Sequence, residues 1–233
     1  MIPLAQVQIH TRGEHSCVQD NGFCPSWIVH HLNDYLTPLW RHVELTVVPV
    51  ALGFVIAFAL AMLAHRRRWL AGPIIGVTGI LYTIPSLALF ALLIPLTGFG
   101  FVTALIPLTA YTLLILFRNI VAGLDNVPAE ATDAARGMGF TDRQLFWRVE
   151  LPLALPEVFA GLRVATTTTV GLAALAFYAG AGGLGQKILS DIAFKSNIVT
   201  AGALCVLLAF ALDVGLLAVL RLLAPWQRKG TAS

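Results

Sequence analysis

Residues 70–117 read LAGPIIGVTGILYTIPSLALFALLIPLTGFGFVTALIPLTAYTLLILF, and none of them is Asp, Glu, Lys or Arg. A membrane-spanning helix needs about 20 apolar residues, so this stretch is roughly twice as long as one crossing and must fold back. The return falls at Pro95-Leu-Thr-Gly98-Phe-Gly100, where Pro and Gly cluster. Spans two and three are therefore expected near 72–95 and 101–117. Upstream, between Glu44 and His65, LTVVPVALGFVIAFALAMLA holds no charge or His and supplies span one. As a helix it reaches about 30 Å, one hydrocarbon thickness. Downstream, Arg163 and Lys187 bracket a fourth run, and a fifth covers Ile198 to Leu220, interrupted only by Asp213. The expected fold is an all-α membrane protein with about five transmembrane helices.

Composition agrees. The chain of 233 residues is 58% hydrophobic and 12% charged, with a mean hydropathy of +0.81. Soluble domains carry about 25% charge, so the excess apolar surface calls for lipid as its solvent. The net charge of +3 is small, and Arg66, Arg67 and Arg68 directly follow an apolar run. That placement reads as a membrane flank and not as a nucleic-acid patch. Cys17, Cys24 and Cys205 are too few for a disulfide framework or zinc site. Cys205 reads as a packed apolar residue, whereas Cys17 and Cys24 stay open between free thiols and a pair on an oxidising side. MIPLAQVQIHTRGEH lacks the apolar core of a signal peptide, and no GxxxxGK[ST] occurs, so a nucleotide site is expected on another chain.

Basic residues set the expected orientation. With five spans and the N-terminus outside, the inner side receives Arg66, Arg67, Arg68, Arg118, Arg136, Arg143, Arg148, Arg163, Arg221, Arg228 and Lys229. The outer side receives only Arg12, Arg41, Lys187 and Lys195, a clear positive-inside bias. Before span one, Trp27, Ile28, Leu32, Tyr35, Leu36, Leu39, Trp40 and Val43 recur at helical steps, with Ser26 as candidate N-cap and Pro38 as a candidate bend. Such a helix either lies flat at the outer interface or packs on its own protein.

The polar loop from Arg118 to Arg163 is not linker-like. Pro128 opens a helix through AEATDAARGMG, Gly137 and Gly139 end it, and Thr141 to Gln144 has the spacing of a capping box for a second helix, closed by Pro152 and Pro156. Two short helices meeting at a glycine corner have much surface and little core, which suits a docking element. The spacing of Asp133-Ala134-Ala135, Gly139, Val149 and Leu151-Pro152 resembles the EAA loop of type I ABC importer permeases. Asp133 stands for the family's Glu, and Val149 for its Ile. Pieces such as IPSLALFALLIPLTGFG, LFRNIVAGL and GAGGLGQKI extend the resemblance over roughly 44–225, with most likeness to osmoprotectant permeases for glycine betaine, choline or carnitine. The glycine element is also similar in methionine-type permeases.

The resemblance implies a permease subunit of a bacterial cytoplasmic-membrane importer. It implies a dimer with a second permease copy or similar permease, two ATPase subunits, and an extracytoplasmic substrate-binding protein. No cofactor or catalysis is expected on this chain, with ATP and Mg on the ATPase. Asp133, Ala134, Ala135, Gly139, Leu151 and Pro152 would couple to that ATPase, Ala134 and Ala135 letting the backbone approach a groove closely. The implied division is an extracytoplasmic segment 1–43 with the amphipathic helix, a permease domain 44–225 with its EAA loop at about 126–156, and a cytoplasmic tail 226–233.

Softer candidates remain. Gly180-Ala-Gly182-Gly183-Leu-Gly185 matches GxGxxG but follows a span-length apolar run, so a tight turn or close helix contact is expected there and not a dinucleotide site. Pro85, beside Ser86, should break span two and free carbonyls where a pathway passes. Thr166, Thr167, Thr168 and Thr169 either line that pathway or bond their own helix. Asp213 is expected to pair with another helix or a backbone group. No aromatic cage for a quaternary ammonium is readable. A secondary transporter would need more ionisable residues at mid-membrane. A membrane enzyme would cluster its histidines, whereas His10, His15, His30, His31, His42 and His65 are dispersed.

Overall fold

The computed structural model describes residues 14–225, and among them every regular element is helical. Arg12, His10, Arg228, Lys229 and the tail at 226–233 lie outside the described residues. Two short helices, α1 (Glu14–Gln19) and α2 (Pro25–His31), lead through a tight turn at Leu32–Tyr35 into α3 (Leu36–Arg66). The stretch Pro25–Arg66 runs on as one 42-residue helical unit. Pro38 lies in the first turn of α3, where its missing N–H has no intrahelical partner to lose. Ser26 is not the N-cap either. Helix α2 begins at Pro25, and the cap position is Cys24.

The second expected span is not one straight rod. Helices α4 (Ala71–Thr83) and α5 (Ser86–Thr97) meet at 91°. The cause is local: Pro85 donates no N–H, and the residue before it is pushed extended, as Ile84 is (φ −66°, ψ 128°). Legs of 13 and 12 residues reach about 20 Å each, too short to cross hydrocarbon alone. Helix α6 (Phe101–Asp125) continues past Phe117 for two further turns, because Arg118 and Asn119 are good enough helix residues once the helix leaves the apolar zone.

The hairpin follows as α7 (Ala129–Gly137) and α8 (Asp142–Leu145), and then a widened turn at Phe146–Glu150 flows into α9 (Leu151–Ala173). Pro152 and Pro156 therefore do not close a helix. Pro152 sits in the first turn of α9, a position that tolerates proline, and Pro156 within it. The fourth helix accordingly lies at 151–173 and not across 163–187. Beyond it come a turn at Ala176–Ala179, α10 (Leu184–Ser190) and α11 (Lys195–Leu223). Among the described residues three helical stretches are long and apolar enough to cross a bilayer alone, and they number four when the bent pair is counted as one span.

Helices α3, α6 and α9 form the centre, with α11 leaning on α9 and α4 and α5 on α6. The crossings are close because small residues face each other. Ala57, Ala61 and Ala64 of α3 pack with Leu116, Phe117 and Ile120 of α6 and with Ala154, Val158 and Ala165 of α9. At Gly53 an added Cβ would lie 1.8 Å from Thr112 Oγ1, so no larger residue fits that crossing unchanged. In lipid, such backbone proximity replaces hydrophobic driving force.

Candidate functional site

The hairpin corner is a helix end made by hydrogen bonds. Met138 N–H donates to Ala134 O at 3.0 Å, Phe140 N–H to Ala135 O at 3.1 Å, and Gly139 N–H to Arg136 O at 2.9 Å. Gly139 takes φ +82°, with nothing within 4 Å of where a Cβ would sit. Glycine is needed there for backbone conformation and not for space. Thr141 then caps α8: Gln144 N–H donates to Thr141 Oγ1 at 3.4 Å, and Thr141 N–H donates to Gln144 Oε1 at 2.9 Å. The spacing-based capping box is present.

Exposure separates the candidate coupling residues. Asp133 and Ala134 face outward, as do Met138 and Trp147, which are 70% and 54% exposed. Ala135, expected to approach a partner's groove, is buried within its own chain at 1% exposure, because its face of α7 is the one folded back on the hairpin. Leu151 packs on the central core, and Phe146 is part of that core. His65 Nε2 and Glu150 Oε2 stand 3.1 Å apart, tying the end of α3 to the start of α9. The hairpin is therefore fastened to α3 and α9.

At the helix break, Tyr111 O–H donates to the Ile84 carbonyl that Pro85 leaves without a helical partner. Tyr82 stands edge-on to Tyr111, with centroids 5.9 Å apart. Thr109 Oγ1, two residues before Tyr111 on α6, is buried with no hydrogen-bond partner. Pro85 is exposed and Ser86 half-buried. The threonine run is elsewhere, on α9. Thr166 and Thr169 are buried, and Thr167 and Thr168 half-buried. Thr167 and Thr169 donate to carbonyls of their own helix, at Arg163 (3.0 Å) and Ala165 (2.7 Å). Both groups flank α6, and no substantial packing joins α4 or α5 to α9, so they do not form one site. Asp213 pairs with Arg163 of α9.

The opposite end of the bundle is latched. Gly180, Gly182 and Gly183 all have positive φ and make the tight turn the sequence suggested. His42 is fully buried beneath it, accepting from Leu184 N–H at 3.3 Å through Nδ1 and donating to Val170 O at 3.0 Å through Nε2. Both ring nitrogens are used, which defines a neutral tautomer in a structural clamp. Tyr35 O–H donates to Asn197 Oδ1 at 2.6 Å, and Trp27 packs edge-on against Phe194 at 4.7 Å. Of the two arrangements open for the N-terminal helix, packing on its own protein is the one observed. Cys17 and Cys24 are disulfide-bonded, their Cα atoms 6.0 Å apart. Sequence reasoning missed Met138, Trp147 and the His65–Glu150 tie. An apolar Met beside the glycine corner was the available signal.

Comparison with known proteins places this architecture. A family model described as binding-protein-dependent transport system inner membrane component matches residues 50–229. The osmoprotectant import permease protein OsmW of Salmonella typhimurium is 39% identical over 196 residues, covering 79% of this chain and 91% of that protein. The choline transport system permease protein OpuBB of Bacillus subtilis is 35% identical over 194 residues, covering 82% and 89%. Among solved structures, the MetNI methionine ABC transporter in an inward-facing conformation aligns with a TM-score of 0.73 at 26% identity, covering 81% of this chain and 95% of that one. The chain belongs to the binding-protein-dependent inner membrane component family, as the permease subunit of an ABC importer: a transport component of the membrane and not an enzyme.

Proposed function

We propose that this permease carries osmoprotectants of the glycine betaine, choline and carnitine class inward across a bacterial cytoplasmic membrane. Support comes from relatives named for osmoprotectant, choline and carnitine transport, which match at 32–39% identity over most of the chain. In this reading the chain has five spans, with its N-terminus outside and the hairpin inside. It divides into segment 1–43, permease domain 44–225 and tail 226–233. It pairs with a second copy or a similar permease, joins two ATPase subunits that hold ATP and Mg, and receives substrate from an extracytoplasmic binding protein.

ATP closes the ATPase pair, and Asp133, Ala134 and Gly139 transmit that motion through the hairpin. Leu151 and Pro152 pass it into α9 and the core. The outward face of Asp133, Ala134 and Met138, mounted on a hairpin tied to α3 and α9, is the observation that carries this mechanism. To swing the two access states from 1:99 to 99:1, ATP must favour one by about 5.5 kcal/mol. The helix break supplies the pathway's polar surface through Pro85 and Ser86. Of the threonines on α9, the half-buried Thr167 and Thr168 supply a second stretch, while Thr166 and Thr169 are buried in the helix packing. Tyr82, exposed at the break and held edge-on against the buried Tyr111, gives a quaternary ammonium an aromatic surface there.

The MetNI likeness favours a second reading, in which the cargo is a methionine-like amino acid. Uptake of labelled glycine betaine, choline, carnitine and methionine by proteoliposomes containing the full complex decides between the two. ATP-dependent uptake of an ammonium solute supports the first reading, and uptake of methionine alone overturns it.

A further inference from the structure

We propose that the cavity between the hairpin and the adjoining end of α3 binds an acidic phospholipid. The proposal rests on the reading that the hairpin faces the cytoplasm. The cavity is a half-open groove of about 840 Å³. Its apolar lining comes from Ala59, Met62 and Leu63 of α3 with Leu145 and Phe146. Arg66, Arg136 and Arg143, all exposed, also line it.

Two carboxylates also line it, and one is already engaged: Glu150 faces His65 at 3.1 Å, leaving Asp142 as the free acid. Among the described residues, no ion pair engages Arg66, Arg136 or Arg143. The charge balance of the lining therefore favours an anion. Trp147 closes the side, 54% exposed, as a residue suited to the level of lipid headgroups.

An aqueous protein partner does not match the apolar lining, but an acyl chain does. Leu52, Val55, Ile56 and Leu63 are exposed at 43%, 66%, 43% and 46%. With Ala59 they occupy one face of α3 at helical spacing and end at Arg66. A lipid tail lying along this face leads its headgroup to the three arginines. Basic pockets on the cytoplasmic side of a membrane bind anionic headgroups by this combination.

The test is photolabelling of the full complex in nanodiscs, using trace phosphatidylglycerol or phosphatidylcholine with a photoreactive acyl chain, and mass spectrometry of the labelled peptides. The proposal expects phosphatidylglycerol to label the peptides around Leu63 and Trp147 in clear excess over phosphatidylcholine. Arg66→Gln with Arg143→Gln should lower that labelling roughly tenfold or more, at about a severalfold loss per surface arginine. Arg67→Gln with Arg148→Gln, two exposed arginines outside the cavity, should leave it unchanged. Equal labelling by both lipids overturns the proposal, as does cross-linking of these peptides to an ATPase or a second permease in place of lipid. In parallel, an impermeant maleimide on a Gly137→Cys variant reads the side of the membrane. Modification from outside defeats the orientation beneath the proposal, whatever the lipid result.

Discussion

Arg163 on α9 holds Asp213 on α11 through two parallel hydrogen bonds, Nε to Oδ1 at 2.7 Å and Nη2 to Oδ2 at 2.8 Å. The fork geometry matches a carboxylate in a way a lysine ammonium cannot. Both residues lie within helices whose surroundings are apolar, where a lone charge is costly. Asp213→Asn and Arg163→Gln should each lower purified yield and uptake severalfold. The exchange Arg163→Asp with Asp213→Arg should restore much of both. Yield by size-exclusion chromatography and uptake in proteoliposomes check this, and a swap no better than the single variants would show that position, not pairing, matters.

Gly139 is held at φ +82° with open space around it. Valine at that dihedral is strained by roughly 1–2 kcal/mol, whereas Asn visits the left-handed region readily. Gly139→Val should leave the protein inserted while uptake falls relative to ATP hydrolysis, and Gly139→Asn should stay near normal. The ratio of solute transported to ATP hydrolysed is the readout, and equal ratios in both variants would contradict the conformational argument.

The sequence was informative where one residue has one meaning. Thr141 and Gln144 announce a capping box, Gly139 a corner, Pro85 a break, and Asp213 a partner. It misled where a residue has two meanings. Pro152 and Pro156 look alike as stops or as first-turn residues, and only the widened turn at Phe146–Glu150 shows that the helix runs on. Likewise Ala134 and Ala135 are identical in sequence terms, yet one faces outward and the other inward. The cavity under the hairpin joins α3 to residues far along the chain, a relation no local pattern encodes.

Gly185 and Gly53 should respond differently to the same added methyl. At Gly185 the new Cβ would lie 1.8 Å from the Ala174 carbonyl oxygen, which is backbone and cannot turn aside. At Gly53 the obstacle is the Thr112 side chain, which can rotate and give up its bond to Thr109 O. Gly185→Ala should cost about 1–3 kcal/mol, the usual range for overpacking, and Gly53→Ala less. Thermal unfolding in detergent compares them, and a larger loss at Gly53 would contradict the reasoning.

The Cys17–Cys24 bond closes a short loop, with Ser196 Oγ accepting from Cys24 N–H at 2.7 Å and donating to Gly22 O at 3.0 Å. A loop of this size stabilises by roughly 2 kcal/mol in the chain-entropy account. Reduction, or Cys17→Ser with Cys24→Ser, should lower the thermal midpoint by about 4–8 °C. No change on reduction would mean that the hydrogen bonds to Ser196 hold the segment alone.

The central claim is that the outward face of the hairpin is gripped by an ATPase. A photoreactive amino acid at Met138, the most exposed apolar residue of the corner, tests it in the assembled complex. The account predicts a covalent permease–ATPase product whose yield changes when ATP is added. Cross-linking to lipid or to nothing, with the ATPase present and active, would contradict it.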